Sequence, residues 1–201
     1  MQESTAPILG SPMIALPKIV LASGSPRRKE ILTAVGWEFE ALSPDVDETE
    51  RAGEAPDDYV VRLAVEKARA VAQRMPDRIV LGADTTVAIN DLILAKPVDL
   101  DDARRMIRLL AGTWHEVFTG VALVKGDTVK SGLERTRVKF APMTDAEIDF
   151  LAVEGDPLDR AGAYAIQEQA ALFIEAIEGD YWNVVGLPVR LVYRLVAEAR
   201  T

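Results

Sequence analysis

Residues 18–28 read KIVLASGSPRR, and this short stretch decides the fold class. The apolar run over 18–22 is typical of a buried strand. A turn over 23–26 follows it, and Pro26 fits the first turn of a helix, where its missing N–H costs nothing. The stretch therefore predicts a buried strand that passes through a tight turn into a helix over 27–35.

The rest of the chain alternates between strand and helix patterns. Apolar residues at helical spacing predict a long helix over 56–74, and a capping box at Thr144 predicts a second. Turn pairs predict tight hairpins at Asn90-Asp91 and Gly126-Asp127. Interleaved elements of this kind predict an α/β fold with a mixed sheet. The other predicted elements are strands over 39–42, 79–83, 87–90, 92–94, 117–124, 128–140, 172–177 and 182–185, and helices over 99–110, 144–153 and 188–199.

The 201 residues suit one domain, or two closely joined lobes around a shared core. Prolines and a glycine interrupt the apolar residues of the first 17 positions, and no basic region precedes them, which makes a poor secretion signal. No uninterrupted apolar stretch approaches membrane-spanning length. We therefore expect a flexible leader over 1–17, a folded domain over 18–201, no membrane partner and a cytoplasmic location.

The formal net charge is −9, which bears on the partners of the chain. Proteins that bind duplex DNA present a basic surface, because their affinity comes largely from neutralising phosphates. This chain lacks such an excess, so the sequence argues against DNA as a partner. A phosphate group that it binds must be small, and must be held by a local cluster of Lys and Arg or through a metal.

The chain has no Cys and a single His. Disulfides, zinc thiolate sites, a thiol nucleophile and a metal site built from several histidines are therefore excluded. Any metal must be held by carboxylates, which favours a hard ion such as Mg²⁺ or Mn²⁺.

The turn over 23–26 has the features of a phosphate-binding loop. A helix N-terminus presents free N–H groups and a partial positive charge, Ser23 and Ser25 add hydroxyl donors, and Arg27 and Arg28 add fork-shaped donors. The segment lacks the Gly-Lys-Ser/Thr ending of a Walker A loop. A capped helix with solvated arginines is the alternative interpretation.

Asp84 follows the predicted strand over 79–83. Ligands of open α/β sheets sit at the carboxyl ends of strands, so Asp84 can orient a water or bind a metal there, or can simply cap a turn. Asp47 or Glu48, in an acidic loop, can join Asp84 around a cation. Solvated loop carboxylates are the alternative.

The remaining polar and aromatic candidates are weaker when each is taken alone. Taken alone, Lys67 and Lys96 are interpreted as surface cations. His115 is interpreted as a structural, hydrogen-bonded histidine rather than a base. Three aromatic residues can stack on a nucleobase, although packing is the commoner role: Trp114, Tyr164 and Trp182. Cations, carboxylates and no nucleophile beyond Ser, Thr or water together favour metal-assisted attack of water on a phosphoryl group.

Six motifs, in order from residue 18 to the C-terminus, resemble the motif series of the Maf family. They are LASGSPRR (21–28), GADT (82–85), KP (96–97), HEVFTGVA (115–122), DRAGAYAIQ (159–167) and VGLP (185–188). The resemblance implies an α/β fold with a long twisted mixed sheet and a cleft between two lobes, related to inosine triphosphate pyrophosphatases. It also implies a homodimer, a divalent cation, and attack of water on the α-phosphorus of a nucleoside triphosphate with release of pyrophosphate.

The resemblance also assigns roles to individual positions. Asp84 matches the proton acceptor of the family, and Glu48 matches a metal or catalytic partner, so that both are expected near the cation. Arg28, Lys67 and Lys96 match residues expected around the triphosphate, beside the serines of the turn.

Three positions separate subfamilies. Arg27, Thr85 and Gln167 match members that act on dTTP and UTP, whereas members specific for 7-methyl-GTP typically carry Trp, Gln and Glu there. An amide such as Gln167 offers a donor and an acceptor to the O4 and N3–H edge of thymine or uracil. Two departures bear on the substrate: Glu168 stands where the family usually has Gly, and Trp182 stands where smaller residues are common. The alternatives are 7-methyl-GTP or inosine triphosphate specificity on the same scaffold, and a nucleotide-binding division regulator without turnover.

Overall fold

The structure is a computed structural model that describes residues 16–199. The leader expected over 1–17 lies outside the described residues except for its last two positions. The boundary between that leader and a domain over 18–201 therefore stays a prediction.

Within residues 16–199, seven strands form one mixed sheet, which confirms the α/β class expected from the sequence. The order along the sheet is β2-β1-β3-β5-β6-β7, with β4 paired to β3. The pairs β1–β2 and β1–β3 are parallel, and the other pairs are antiparallel. The strands are β1 (Ile19–Ala22), β2 (Phe39–Leu42), β3 (Ile79–Ile89), β4 (Leu92–Leu94), β5 (Trp114–Lys125), β6 (Thr128–Phe140) and β7 (Ile174–Glu178).

In the described part of the chain, six helices cover the sheet on both faces. The helices are α1 (Pro26–Ala34), α2 (Pro56–Ala72), α3 (Leu100–Leu110), α4 (Asp145–Glu154), α5 (Tyr181–Val185) and α6 (Val189–Glu198). Helix α2 packs on one face through its own apolar clusters, and the main core, which includes apolar residues of α1, α3, α4 and α6, fills the other. Three short 3₁₀ turns between α4 and β7 also lie against that core, at Pro157–Asp159, Ala161–Ala163 and Gln169–Leu172.

Helix α2 lies directly on the backbone of β3 and β5. A Cβ atom at Gly82 would stand 2.2 Å from the carbonyl oxygen of Ala64, and one at Gly120 would stand 2.2 Å from that of Val60. Two strand glycines therefore permit a helix-to-sheet approach that any larger residue would prevent. Since side chains on a strand alternate between faces, Asp84 points towards α2 from two residues beyond Gly82.

Strand β3 is continuous where the sequence predicted two strands, with Asp84 at the end of the first. That prediction is wrong because β5 pairs with β3 along its length and carries the ladder through the polar residues. On the other edge, β1 pairs with β3 as far as Gly82, and β4 pairs with it from Val87 onwards. Residues 83–86 therefore border open space on that edge, just past the carboxyl end of β1.

A second prediction, of a strand over 182–185, is also wrong. Those residues belong to α5, which begins where the Asp180 carboxylate accepts a hydrogen bond from the backbone N–H of Trp182. The Asn183 amide then donates to Val117 O at 2.9 Å and to Thr136 Oγ1 at 3.0 Å, so a tertiary contact fixes the short helix.

Several local signals are confirmed. Asn90 and Asp91 both have positive φ, as a tight hairpin turn requires. Thr144 forms the expected capping box with Glu147, and Asp99 caps α3. Within residues 16–199, no helix combines the length and apolar character that crossing a bilayer requires.

We predict that Gly82→Ala lowers the free energy of unfolding by about 3 kcal/mol, the upper end for overpacking, because backbone atoms of α2 cannot move aside. Gly132→Ala in β6 is the matched control, since its Cβ would meet only the flexible end of Leu191. That control should cost less than about 1 kcal/mol. Urea unfolding of the two variants tests this, and equal losses would contradict the close packing of α2.

Candidate active site

One cleft of about 560 Å³ collects the predicted site residues. It opens along the free edge of β3 and is lined by the β1–α1 turn, the acidic loop, α2, the segment after β4, the 3₁₀ region and the end of α5. All ten predicted positions line it: Ser23, Ser25, Arg27, Arg28, Glu48, Lys67, Asp84, Thr85, Lys96 and Gln167.

A lysine bridges two carboxylates at the inner end of the cleft. Lys67 Nζ lies 2.6 Å from Asp84 Oδ1 and 2.7 Å from Glu48 Oε1. Lys67 and Asp84 are only 6% and 7% exposed. The interpretation of Lys67, taken by itself, as a surface cation is therefore wrong. Glu48, not Asp47, reaches this centre, because the Asp47 carboxylate accepts hydrogen bonds from the backbone and hydroxyl of Thr49.

Asp84 has the electrostatics of a proton acceptor. Burial raises the pKa of Asp84, and the nearby charges of Lys67 and Arg28 oppose that shift. The two cations therefore favour the ionised carboxylate while burial increases its affinity for a proton. A carboxylate in this balance can accept a proton from a water that attacks within the cleft.

Arg28 is buried and held by three hydrogen bonds. Its Nε donates to Gly186 O at 2.9 Å, Nη1 to Ser23 Oγ at 3.1 Å and Nη2 to Thr85 Oγ1 at 3.1 Å. Of the five N–H donors of a guanidinium, three are used, which leaves two for a ligand in the cleft. Arg28 is therefore not a solvated arginine, and Ser25 makes no side-chain cap on α1.

Thr85 continues this network into the sheet. Thr119 Oγ1 donates to Asn183 O at 3.2 Å, Thr85 Oγ1 donates to Gly186 O at 3.3 Å, and the two threonine hydroxyls lie 2.9 Å apart. The Thr85 hydroxyl thus accepts from Arg28 and has both Gly186 O and Thr119 within reach of its proton. The sequence analysis missed Thr119 and Asn183 as parts of the site. The HEVFTGVA motif contains Thr119, whereas no motif pointed to Asn183.

A second ionic group lies at the outer end of the cleft. Lys96 Nζ contacts Asp159 Oδ1 at 2.5 Å, and Arg27 Nη2 donates to the backbone oxygen of Asp159 at 2.9 Å. Arg160, whose side chain is 8% exposed, pairs with Glu168 at 2.8 Å. The sequence analysis missed Asp159 and Arg160, although both begin the DRAGAYAIQ motif.

The aromatic candidates divide between the cleft and the rest of the protein. His115 is buried, its Nε2 lies 2.8 Å from the Tyr164 hydroxyl, and both rings pack edge-on against Phe140. Burial lowers the pKa of His115 to about 3, so it stays neutral, in line with the structural role predicted for it. Tyr164 lines the cleft, whereas Trp114 and Trp182 are not among the lining residues.

The carboxylates fit a divalent cation that takes part of its ligand set from a substrate. Within residues 16–199, no group of three or more His, Cys, Asp or Glu side chains could hold a metal ion. Asp84 and Glu48 instead converge on one cationic point, the ammonium of Lys67. Mg²⁺ is commonly held by one or two carboxylates, with waters and substrate phosphates as the other ligands.

Fold and cleft together define an α/β protein with a cation-lined pocket beside a buried carboxylate. A family model described as Maf-like protein matches residues 18–199, and the chain belongs to this family. A dTTP/UTP pyrophosphatase of Hahella chejuensis is 50% identical over 175 residues, which are 86% of this chain and 87% of that protein. A dTTP/UTP pyrophosphatase of Bacillus anthracis is 49% identical over 179 residues, or 89% and 94% of the two chains.

Among solved structures, the Staphylococcus aureus Ham1 protein matches with a TM-score of 0.49 at 15% sequence identity. That match covers 92% of this chain and 98% of the Ham1 chain.

We predict that Lys67→Met lowers the free energy of unfolding at pH 7 by about 3 kcal/mol, because it leaves the buried Asp84 carboxylate without its partner. Adding Asp84→Leu removes the unpaired charge, so the double variant should be more stable than the single one. Urea unfolding measures both. A double variant less stable than Lys67→Met would contradict the dependence of Asp84 on this pair.

Proposed function

We propose that this chain hydrolyses dTTP and UTP to the nucleoside monophosphate and pyrophosphate. The observation that carries the proposal is the buried Asp84 carboxylate, bridged to Glu48 by Lys67 and flanked by Arg28, inside a cleft with room for a nucleotide. Relatives that are about half identical along most of their length bear the name of this activity.

In this proposal one residue of the inner cleft acts on the attacking water, and the others bind the phosphates. Asp84 accepts the proton of the water that attacks the α-phosphorus, because its burial raises its proton affinity. Arg28 offers its two remaining N–H donors to phosphate oxygens, with Lys67 as a buried positive charge beside them. Ser23 and Ser25 lie at the start of α1, where backbone N–H groups also favour an anion.

The same proposal includes a divalent cation, Mg²⁺ or Mn²⁺, held by Asp84 and Glu48. Such a cation, when bound, neutralises phosphate oxygens and polarises the phosphoryl group under attack. The two carboxylates are acceptor-only groups that already meet at one positive charge, which is the property that a cation site of this kind requires.

In this proposal Lys96, Arg27 and Gln167 belong to the outer cleft, while Thr85 lies beside Arg28 in the inner cleft. Lys96 binds the triphosphate, and Gln167 reads the pyrimidine edge through its amide. In the described part of the chain, the amide of Gln167 has no hydrogen-bond partner, so both its donor and its acceptor are available. Arg27 and Thr85 adjust the same pocket through the partners they already bind.

The departure at Glu168 is compatible with pyrimidine recognition. Its φ is −122°, so the position does not need the conformational freedom of a glycine. Its carboxylate pairs with Arg160 at 2.8 Å, and so the negative charge beside Gln167 is compensated.

We also propose that the protein works in the cytoplasm as a homodimer, with free nucleotides and not DNA as its ligands, and that its folded domain spans 18–201. The net charge of −9 supports the exclusion of DNA. The homodimer rests on membership of the family.

We predict metal-dependent release of pyrophosphate from dTTP and UTP, and a loss of about 10²- to 10⁴-fold in kcat for Asp84→Asn, the range for removal of a general base. The assay compares dTTP, UTP, CTP, 7-methyl-GTP and ITP with Mg²⁺, Mn²⁺ or EDTA. Asp91→Asn, in an exposed turn, is the matched control.

Full activity of Asp84→Asn would remove the role of Asp84 as the proton acceptor. Preference for 7-methyl-GTP or ITP would keep the reaction and overturn the pyrimidine specificity. Binding without cleavage of any nucleotide would replace the enzyme by a nucleotide-binding regulator.

We predict that Gln167→Glu lowers kcat/KM for dTTP by about 10-fold or more, because a carboxylate cannot donate to O4 of the base. Steady-state kinetics with dTTP and UTP measure the change. Gln73→Glu, at the exposed end of α2, is the control for the added charge. Unchanged dTTP kinetics in Gln167→Glu would withdraw the assignment of Gln167 to the base.

A further inference from the structure

The acidic loop over 43–55 joins β2 to α2 without regular secondary structure. Glu48 lies in this loop, and its side chain is 53% exposed even while it touches Lys67. A loop without ladder hydrogen bonds does not hold a half-exposed carboxylate at a fixed point by itself. The position of Glu48 therefore depends on contacts from elsewhere.

Arg62, on α2, makes most of those contacts. Its Nε donates to Glu54 Oε1 and its Nη2 to Glu54 Oε2, both at 2.6 Å, in a two-pronged pair. The same Nη2 donates to the backbone oxygen of Thr49 at 3.2 Å, directly beside Glu48. One guanidinium thus binds the loop at two points, Thr49 and Glu54, which both follow Glu48 in the chain.

Glu54 also makes hydrogen bonds within the loop. Its Oε2 also accepts the backbone N–H of Arg51 at 3.1 Å, while the N–H of Glu54 donates to Arg51 O at 3.0 Å. The two bonds close a turn over 51–54. The Glu54 carboxylate both closes this turn and binds Arg62. The turn therefore cannot move away from α2 without breaking the ion pair.

Tyr59 adds a third attachment, one helical turn before Arg62. Its hydroxyl donates to the backbone oxygen of Glu48 at 3.0 Å, and the Arg62 guanidinium lies 5.5 Å from the centre of its ring. Tyr59, Arg62 and Lys67 all project from α2 towards the loop. A single helix therefore carries both the partner of Glu48 and the groups that fix its backbone.

The low side-chain exposure of the Arg62–Glu54 pair distinguishes it from the many exposed ion pairs of this protein. Its side chains are 13% and 9% exposed, whereas those of the Arg137–Glu178 pair are 44% and 56% exposed. The hydrogen bonds from Arg62 lower the pKa of Glu54 to about 2. Two-pronged arginine–carboxylate pairs give both energy and fixed geometry, while exposed pairs give little of either.

We propose that Arg62 and Glu54 are positioning residues, which hold the acidic loop against α2 so that the Glu48 carboxylate stays at Lys67 and Asp84. The inference rests on the proposed function for the role of Glu48 in the reaction. The attachment of the loop stands on the contacts alone, and can be tested without turnover.

The test compares Arg62→Met and Glu54→Gln with Arg104→Met. Methionine keeps the aliphatic stem and the helix propensity of arginine but removes the guanidinium. Arg104 is the matched control because it also joins two carboxylates, Asp101 and Asp149, far along the chain from this loop. Limited digestion with trypsin, with cleavage after Arg51 followed by mass spectrometry, reports the freedom of the loop directly.

The second readout is a double-mutant cycle with Glu48→Gln, measured as kcat for dTTP and as the Mn²⁺ concentration for half-maximal rate. We expect Arg62→Met to speed cleavage after Arg51. We also expect it to lower kcat, or to raise the Mn²⁺ concentration for half-maximal rate, by about 10- to 100-fold, as for other groups that orient a metal ligand. In the Glu48→Gln background, Arg62→Met should add almost nothing, since it acts through Glu48.

Unchanged cleavage after Arg51 in Arg62→Met would overturn the attachment of the loop. Faster cleavage with losses that simply add to those of Glu48→Gln would overturn positioning, because Arg62 would then act independently of Glu48. If the wild-type chain hydrolyses no nucleotide, the proposed function fails, while faster cleavage in Arg62→Met and not in Arg104→Met still supports the attachment.

Discussion

The site depends on one contact, in which the Lys67 ammonium lies between the buried carboxylate of Asp84 and the half-exposed carboxylate of Glu48. A charge taken out of water is costly unless it is paired, so the buried charges of Lys67 and Asp84 require each other. The contact is possible because α2 approaches the sheet at Gly82 and Gly120, where there is no room for a Cβ. Close packing of a helix on two glycines thus sets the distance over which the charges meet.

Helix α2 contributes both to the core and to the candidate site because its faces contact different parts of the protein. Its apolar residues cover β3 and β5, Lys67 reaches Asp84, and Tyr59 and Arg62 reach the acidic loop. An acidic protein with a net charge of −9 thereby keeps a cationic cleft, since neighbouring elements bring five Lys and Arg side chains and only three carboxylates to its lining. The local field at a site can differ in sign from the charge of the whole molecule.

The sequence could predict which residues share the cleft, but not how each one is engaged. The ten predicted positions all line it, because motifs at strand ends and helix starts carry their own local geometry. Helical spacing could not show that Lys67 is buried, since its partners come from β3 and from the loop before α2. Polar residues 84–86 likewise gave no strand signal, although the ladder with β5 runs through them. In both cases, contacts between different elements of the fold determine the structure that the local sequence pattern did not predict.

The contacts that each side chain already makes bear on how the three proposed specificity positions can act. Arg27 already donates to Asp159, and Thr85 already accepts from Arg28 and contacts Thr119 and Gly186 O. A change at either position therefore first alters the arrangement of the cations, and a base would sense it indirectly. Gln167 differs, since in the described chain its amide has no partner and both its donor and its acceptor remain available. In the proposed function, direct reading of a base edge therefore falls to Gln167, with the other two positions shaping the charges around it.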